Sequence, residues 1–173
     1  MIPIRIIARV AIFSAIIYVL SWGTSYLPNF NLIFFIVFSA GFVWGLLPGI
    51  LVGVVGMGLW TTFNPFGAAM PPVMIAQVIG ASGSGVVGFL FSKLNWKENN
   101  FLLKLKLSFM AVICTLFYYL LVSVVDAWLF QPFFPRLISG LPWVGISLLS
   151  NILIFPLLFN VTLNLYNREC VKP

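Results

Sequence analysis

Gln77 and Asn151 are carboxamides set inside long apolar runs. In a membrane interior an amide must find a hydrogen-bond partner, either in a neighbouring helix or in a ligand. Helical spacing places other polar groups beside them. Gln77, Ala81 and Ser84 share one side of a helix, Thr115, Tyr119, Ser123 and Asp126 form a stripe on a second, and Trp143, Ser147 and Asn151 do so on a third. Tyr119 and Trp128 offer ring faces on which a flat molecule can stack with little loss of entropy. Asn31 and Arg136 stand in polar breaks between apolar runs, placed to close such a site or to pair with an anionic group. Gln77, Tyr119, Trp128, Asn151, Asn31 and Arg136 thus describe a pocket for a small, flat, polar organic molecule.

The same inventory excludes several chemistries. The chain contains no histidine, which removes His-ligated zinc, the Ser-His-Asp triad and a His-ligated haem. Its acids are Glu98, Asp126 and Glu169, of which only Asp126 belongs to the outer half of a helix, so no carboxylate pair forms at membrane depth. Asp126 sits near a helix end where water reaches it, a poor position for proton coupling. The stretch GSGVVG (Gly83–Gly88) fits G-x-G-x-x-G, but that motif needs a preceding strand and an aqueous phosphate, and here it lies within an apolar run. Gly80, Ser84 and Gly88 instead recur every four residues, the spacing that lets another helix approach closely, and Gly41, Gly45, Gly49 and Gly53 do the same. Cys114 and Cys170 are placed too differently to form a disulfide. An enzyme, a metal centre and a bound cofactor are not expected.

The elements that must position these residues follow from composition. Hydrophobic residues make up 62% of the 173, and charged residues only 7%. Soluble domains carry about 25% charged residues, and the mean hydropathy here is +1.13. The chain therefore reads as an integral membrane protein in a lipid bilayer, a single all-α domain. Apolar segments run over about 6–22, 32–47, 49–63, 73–91, 107–129 and 141–166, predicting a six-helix transmembrane bundle. The second and third are short, and Pro48-Gly49 divides them, which fits either two thin helices or a re-entrant hairpin; both return the chain to the same side. The N-terminal run mimics a signal peptide, but the bulky Trp22 in the small-residue site marks it as a retained anchor.

Charge sets the orientation. Arg5, Arg9, Lys93, Lys97, Lys104, Lys106, Arg168 and Lys172 fall on one side of this topology and only Arg136 on the other. The N- and C-termini and the lysine-rich segment are therefore expected to be cytoplasmic, in the plasma membrane, with the aromatic, Pro- and Asn-rich loops outside. The basic residues flank apolar runs, so the net charge of +6 reflects topology and not nucleic-acid binding.

One further pattern lies on the first helix. Ala8, Ala11 and Ala15 share a side, where a helix in contact with lipid alone gains nothing from small residues. With "AIFSA" (Ala11–Ala15), six short helices, cytoplasmic termini and an outward ligand face, the whole chain resembles the S components of energy-coupling factor (ECF) transporters. The stretch from Leu27 to Gly56 has the same flavour. The resemblance implies a substrate-binding membrane subunit that captures a vitamin or related micronutrient outside the cell. It further implies that Ala8, Ala11 and Ala15 dock on a transmembrane coupling subunit driven by two cytoplasmic ATPases. The chain has no P-loop, so ATP hydrolysis would fall to those partners. Without histidine, nickel and cobalt are disfavoured as cargo. Flavin, thiamine, pyridoxine, a modified nucleobase and cobalamin suit the aromatic and amide groups alike. The size and helix count also fit a structural membrane protein of the rod-shape-determining type with no ligand, although amides and aromatics in the outer loops suit a site better than a scaffold.

Single-cysteine labelling in a background lacking Cys114 and Cys170 tests the orientation. An impermeant reagent is expected to modify a cysteine at Gly67 in intact cells and to spare one at Asn99. The reverse pattern contradicts the charge argument.

Overall fold

A computed structural model describes residues 3–27, 29–94 and 100–170. Lys97, Glu98 and Lys172 lie outside the described residues. Six helices follow in chain order: α1 (Ile4–Thr24), α2 (Ile33–Trp44), α3 (Leu46–Phe63), α4 (Pro71–Ser92), α5 (Asn100–Leu129) and α6 (Phe133–Cys170). All except α2 are long and apolar enough to cross a membrane, as a multipass membrane protein requires.

α2 is the exception in length and the centre in packing. Its 12 residues rise about 18 Å, short of the ~30 Å hydrocarbon core. Every residue from Ile33 to Val43 is buried, so this helix is enclosed by protein. Phenylalanines fill the space around it. Phe38 lies 5.1 Å from Phe155 and 5.7 Å from Phe91, and Phe42 lies 5.3 Å from Phe159, between ring centroids. Ser39 and Thr162 share a 2.7 Å hydrogen bond that ties α2 to α6.

Glycines let α3 and α4 close on α2. A Cβ added to Gly41 would stand 2.0 Å from the carbonyl oxygen of Gly85, and one on Gly49 would stand 2.7 Å from Gly41 Cα. A Cβ on Gly88 would stand 2.0 Å from the carbonyl oxygen of Phe38. These are backbone-to-backbone approaches across three helices, possible only where there is no side chain.

The break between the second and third segments differs from the expected Pro48-Gly49. It falls at Gly45, whose φ of +97° is open to glycine at no steric cost. Pro48 sits within the first turn of α3, where its missing N–H breaks no intrahelical bond. Two other boundaries move outward. α5 starts at Asn100 and not near 107, because Lys104 and Lys106 are good helix formers between leucines. α6 starts at Phe133 and not near 141, since the Gln131 side chain accepts from the Phe133 N–H at 2.9 Å and caps the helix earlier. Pro142 and Pro156 lie inside it; neighbouring groups satisfy freed carbonyls in a membrane bundle.

The helices alternate in direction. Arg9 of α1 pairs with Glu169 of α6, which brings both chain ends to one end of the bundle. Cys170 Sγ reaches the Val43 carbonyl oxygen at 3.4 Å at that end too. The opposite end holds the close of α1, the start of α2, the close of α3 and the start of α4.

Gly88→Ala is expected to destabilise the detergent-solubilised protein by about 3 kcal/mol or more, the upper end for overpacking, because the clash is with backbone. Gly58→Ala, which meets nothing within 4 Å, is expected to leave the melting temperature unchanged or raise it. Equal losses from both contradict the close approach.

Candidate functional site

A partly open cavity of about 250 Å³ lies at the bundle end remote from the chain termini. Five helices and the segment between α1 and α2 build it. The last turn of α1 contributes Ser21 and Thr24, the connecting segment contributes Ser25, Asn29, Phe30 and Asn31, and Ile33 opens α2 beside them. Trp60 comes from α3, Gln77 from α4, Tyr118 from α5, and Phe66 from the loop between α3 and α4.

Local sequence fixes each group. Ser21, Thr24 and Ser25 follow i, i+3, i+4 spacing, so they form one face at the end of α1. Asn31 closes a turn onto the head of α2, its Oδ1 accepting from the Ile33 N–H at 2.9 Å. Asn29 donates from Nδ2 to the Trp143 carbonyl oxygen at 3.1 Å, which anchors the same segment to α6. Gln77 is held from α3, with the Thr61 hydroxyl donating to Gln77 Oε1. Asn64 orders the loop that carries Phe66: its Oδ1 accepts from the Phe66 N–H at 2.9 Å and its Nδ2 donates to the Gly67 carbonyl oxygen at 2.9 Å. Gly67 supplies the positive φ that the turn needs. The Tyr118 ring packs 4.9 Å from Phe34 and leans on Gly80, where a Cβ would meet it at 2.9 Å.

Two of the six residues expected from sequence, Asn31 and Gln77, line this cavity together. The other four stand elsewhere. Tyr119 is one position round the helix from Tyr118 and lines a largely apolar surface groove between α5 and α6. Trp128 is 69% exposed at the end of α5, the position of an interfacial aromatic. Arg136 is engaged by Asp126, with Nε donating to Oδ2 at 2.7 Å and Nη2 to Oδ1 at 3.3 Å, and its guanidinium lies 5.3 Å over the Phe130 ring. Asn151 is fully buried, donating within its own helix to the Ser147 carbonyl oxygen at 2.9 Å, while its Oδ1 has no partner.

Ser21, Thr24, Ser25, Asn29, Trp60 and Tyr118 were not among the expected residues. The α1 group was legible as a polar face at a helix end. Tyr118 was legible from the other α5 period, since Leu107, Ala111, Cys114 and Tyr118 form the buried side of that helix.

A second groove, of about 230 Å³, runs between α1 and α6 over α2. Its polar groups, Ser39 and Thr162, bond to each other, so it presents an apolar wall. The first cavity therefore holds the hydroxyls, amides and ring faces able to contact a polar molecule. Comparison with protein-family models, with curated proteins and with solved structures finds no match to this chain.

Removing one buried hydrogen bond to a ligand costs ~1–3 kcal/mol. Gln77→Ala is thus expected to weaken binding of a compound held in this cavity by about ten- to a hundredfold. Trp128→Ala is expected to leave its affinity within about twofold. Titration of the released compound into both variants checks this, and the opposite ranking moves the site to the α5–α6 end.

Proposed function

We propose that this chain is the substrate-binding subunit of an ECF-type importer, which captures a small organic micronutrient outside the cell. The observation that carries the reading is the polar cavity at the bundle end opposite the chain termini. Gln77 of α4 and Asn31 of the segment leading into α2 line it together. The basic residues support the orientation. Arg5, Arg9, Lys93, Lys104, Lys106 and Arg168 gather toward the end that holds the termini, the side that positive charge assigns to the cytoplasm. The cavity then opens outward from the plasma membrane.

The α1 surface supports the coupling step. Val10, Ser14, Ile17 and Ser21 are its buried side, and Ile17 packs where Gly56 of α3 leaves room. Ala8, Ala11 and Ala15 point away from the bundle and are exposed. This shallow outward stripe suits close approach by a helix of a transmembrane coupling subunit, with two ATPases supplying the energy. A structural role of the rod-shape-determining type gives no reason for two carboxamides to meet in an aromatic-walled cavity.

Ala11→Leu combined with Ala15→Leu is expected to abolish uptake by cells that carry the coupling module, while ligand affinity of the purified protein stays within about twofold. Leucine adds bulk where the partner backbone must come close. Normal uptake by the double variant, or loss of binding instead, contradicts the docking role.

A further inference from the structure

We infer that the molecule held in the cavity is a neutral, flat heterocycle whose polar edge presents hydrogen-bond acceptors, either carbonyl oxygens or ring nitrogens. The inference rests on the ligand-capture reading above and narrows it to a chemical class.

The direction of the hydrogen bonds carries the first half. A carboxamide has one acceptor oxygen and an NH2 group with two donors. The oxygen of Gln77 is taken by the Thr61 hydroxyl and the oxygen of Asn31 by the Ile33 N–H. Both side chains line the cavity, and what each offers an occupant first is its unengaged NH2 group, its oxygen keeping one lone pair. An occupant that satisfies both must bring acceptors. Asn29 is turned the other way: one of its two N–H donors goes to the Trp143 carbonyl, and its acceptor oxygen stands at the same wall. An edge with a carbonyl beside an N–H meets both kinds of group.

Charge carries the second half. The cavity lining consists of hydroxyls, carboxamides, aromatic rings and aliphatic side chains, with no carboxylate, ammonium or guanidinium. Among the described residues the charged side chains at this end are Asp126 and Arg136, and they neutralise each other across 2.7 Å. An entering carboxylate or phosphate loses hydration and finds no counter-charge. A cation is attracted only weakly by ring faces, and the amide donors point their positive ends at it. Trp60, Phe66 and Tyr118 supply faces for a flat ring. A cavity of about 250 Å³ accommodates one or two fused rings and leaves a corrinoid, several times larger, outside.

Calorimetric titration of the intact purified protein with matched probes tests the class. The pairs are nicotinamide and nicotinate, and uracil and orotate, with thiamine as the cation. Binding is expected on the neutral side of a pair, with the charged member at least about a hundredfold weaker. Asn31→Asp keeps the acceptor that caps the Ile33 N–H but removes the donors, and Gln77→Glu likewise replaces donors by a carboxylate. Each is expected to weaken the neutral ligand about tenfold or more while the empty protein still elutes as a single folded species on gel filtration. A charged probe that binds as tightly as its neutral partner, or tight binding of thiamine, overturns the inference and leaves ligand capture standing. A neutral ligand indifferent to both variants also overturns it. Binding of no probe overturns it together with the reading on which it rests.

Discussion

The structure depends on the contact of three helix backbones. Gly41 of α2, Gly49 of α3 and Gly85 of α4 occupy space in which none could carry a Cβ, and Gly88 admits the Phe38 carbonyl in the same way. Lipid tails are as apolar as leucine, so a membrane helix gains little by burying hydrophobic surface. It gains by fit, and these glycines supply the fit. Because α3 and α4 close on it, a 12-residue helix too short to span can occupy the centre of the bundle. The phenylalanines around it then fill what the glycines leave open, with Phe38 and Phe42 packed against Phe91, Phe155 and Phe159.

The site follows from that arrangement. A short buried α2 starts below the ends of its longer neighbours, and the segment leading into it must descend from α1. That segment carries Asn29 and Asn31, and the recess above it is the cavity. The walls are therefore set by how deeply α2 is held. The polar groups in the recess are already oriented by the protein, Asn31 by the head of α2 and Gln77 by Thr61. Groups oriented in advance lower the entropy cost of binding any molecule that occupies the recess. At the far end the Arg9–Glu169 pair and the Arg9 guanidinium, 5.2 Å over the Trp44 ring, tie the chain ends beside α2.

Much of this was legible in the sequence, and the limits have physical causes. Six helices and the close packing at Gly41, Gly49, Gly53, Gly80 and Gly88 could be read directly, because apolar runs and small-residue periods survive in one dimension; Gly45 in the same spacing packs against nothing and makes the bend. The break was assigned to Pro48 because proline ends helices in general. In the first turn it costs nothing, and Gly45 makes the bend. Gln77 and Asn31 could be found as polar groups in or beside apolar runs. Asn151 carried the same signal for a different reason: it is a buried amide that bonds within its own helix. Tyr119 and Tyr118 are adjacent in sequence and about 100° apart on the helix, and only the packing of α5 on Gly80 decides which one enters the cavity. Arg136 looked available because its partner Asp126 lies ten residues away across a turn, a pairing that no helical period shows.

The central claim is that the recess above α2 holds a small organic molecule. Native mass spectrometry of the protein, extracted gently from cells and kept in detergent, tests it most directly. The account predicts one added mass per chain, in the range of a one- or two-ring organic compound, removed by mild activation and restored by adding the released material back. A spectrum showing only the bare chain and detergent, unchanged after incubation with cell extract, contradicts it.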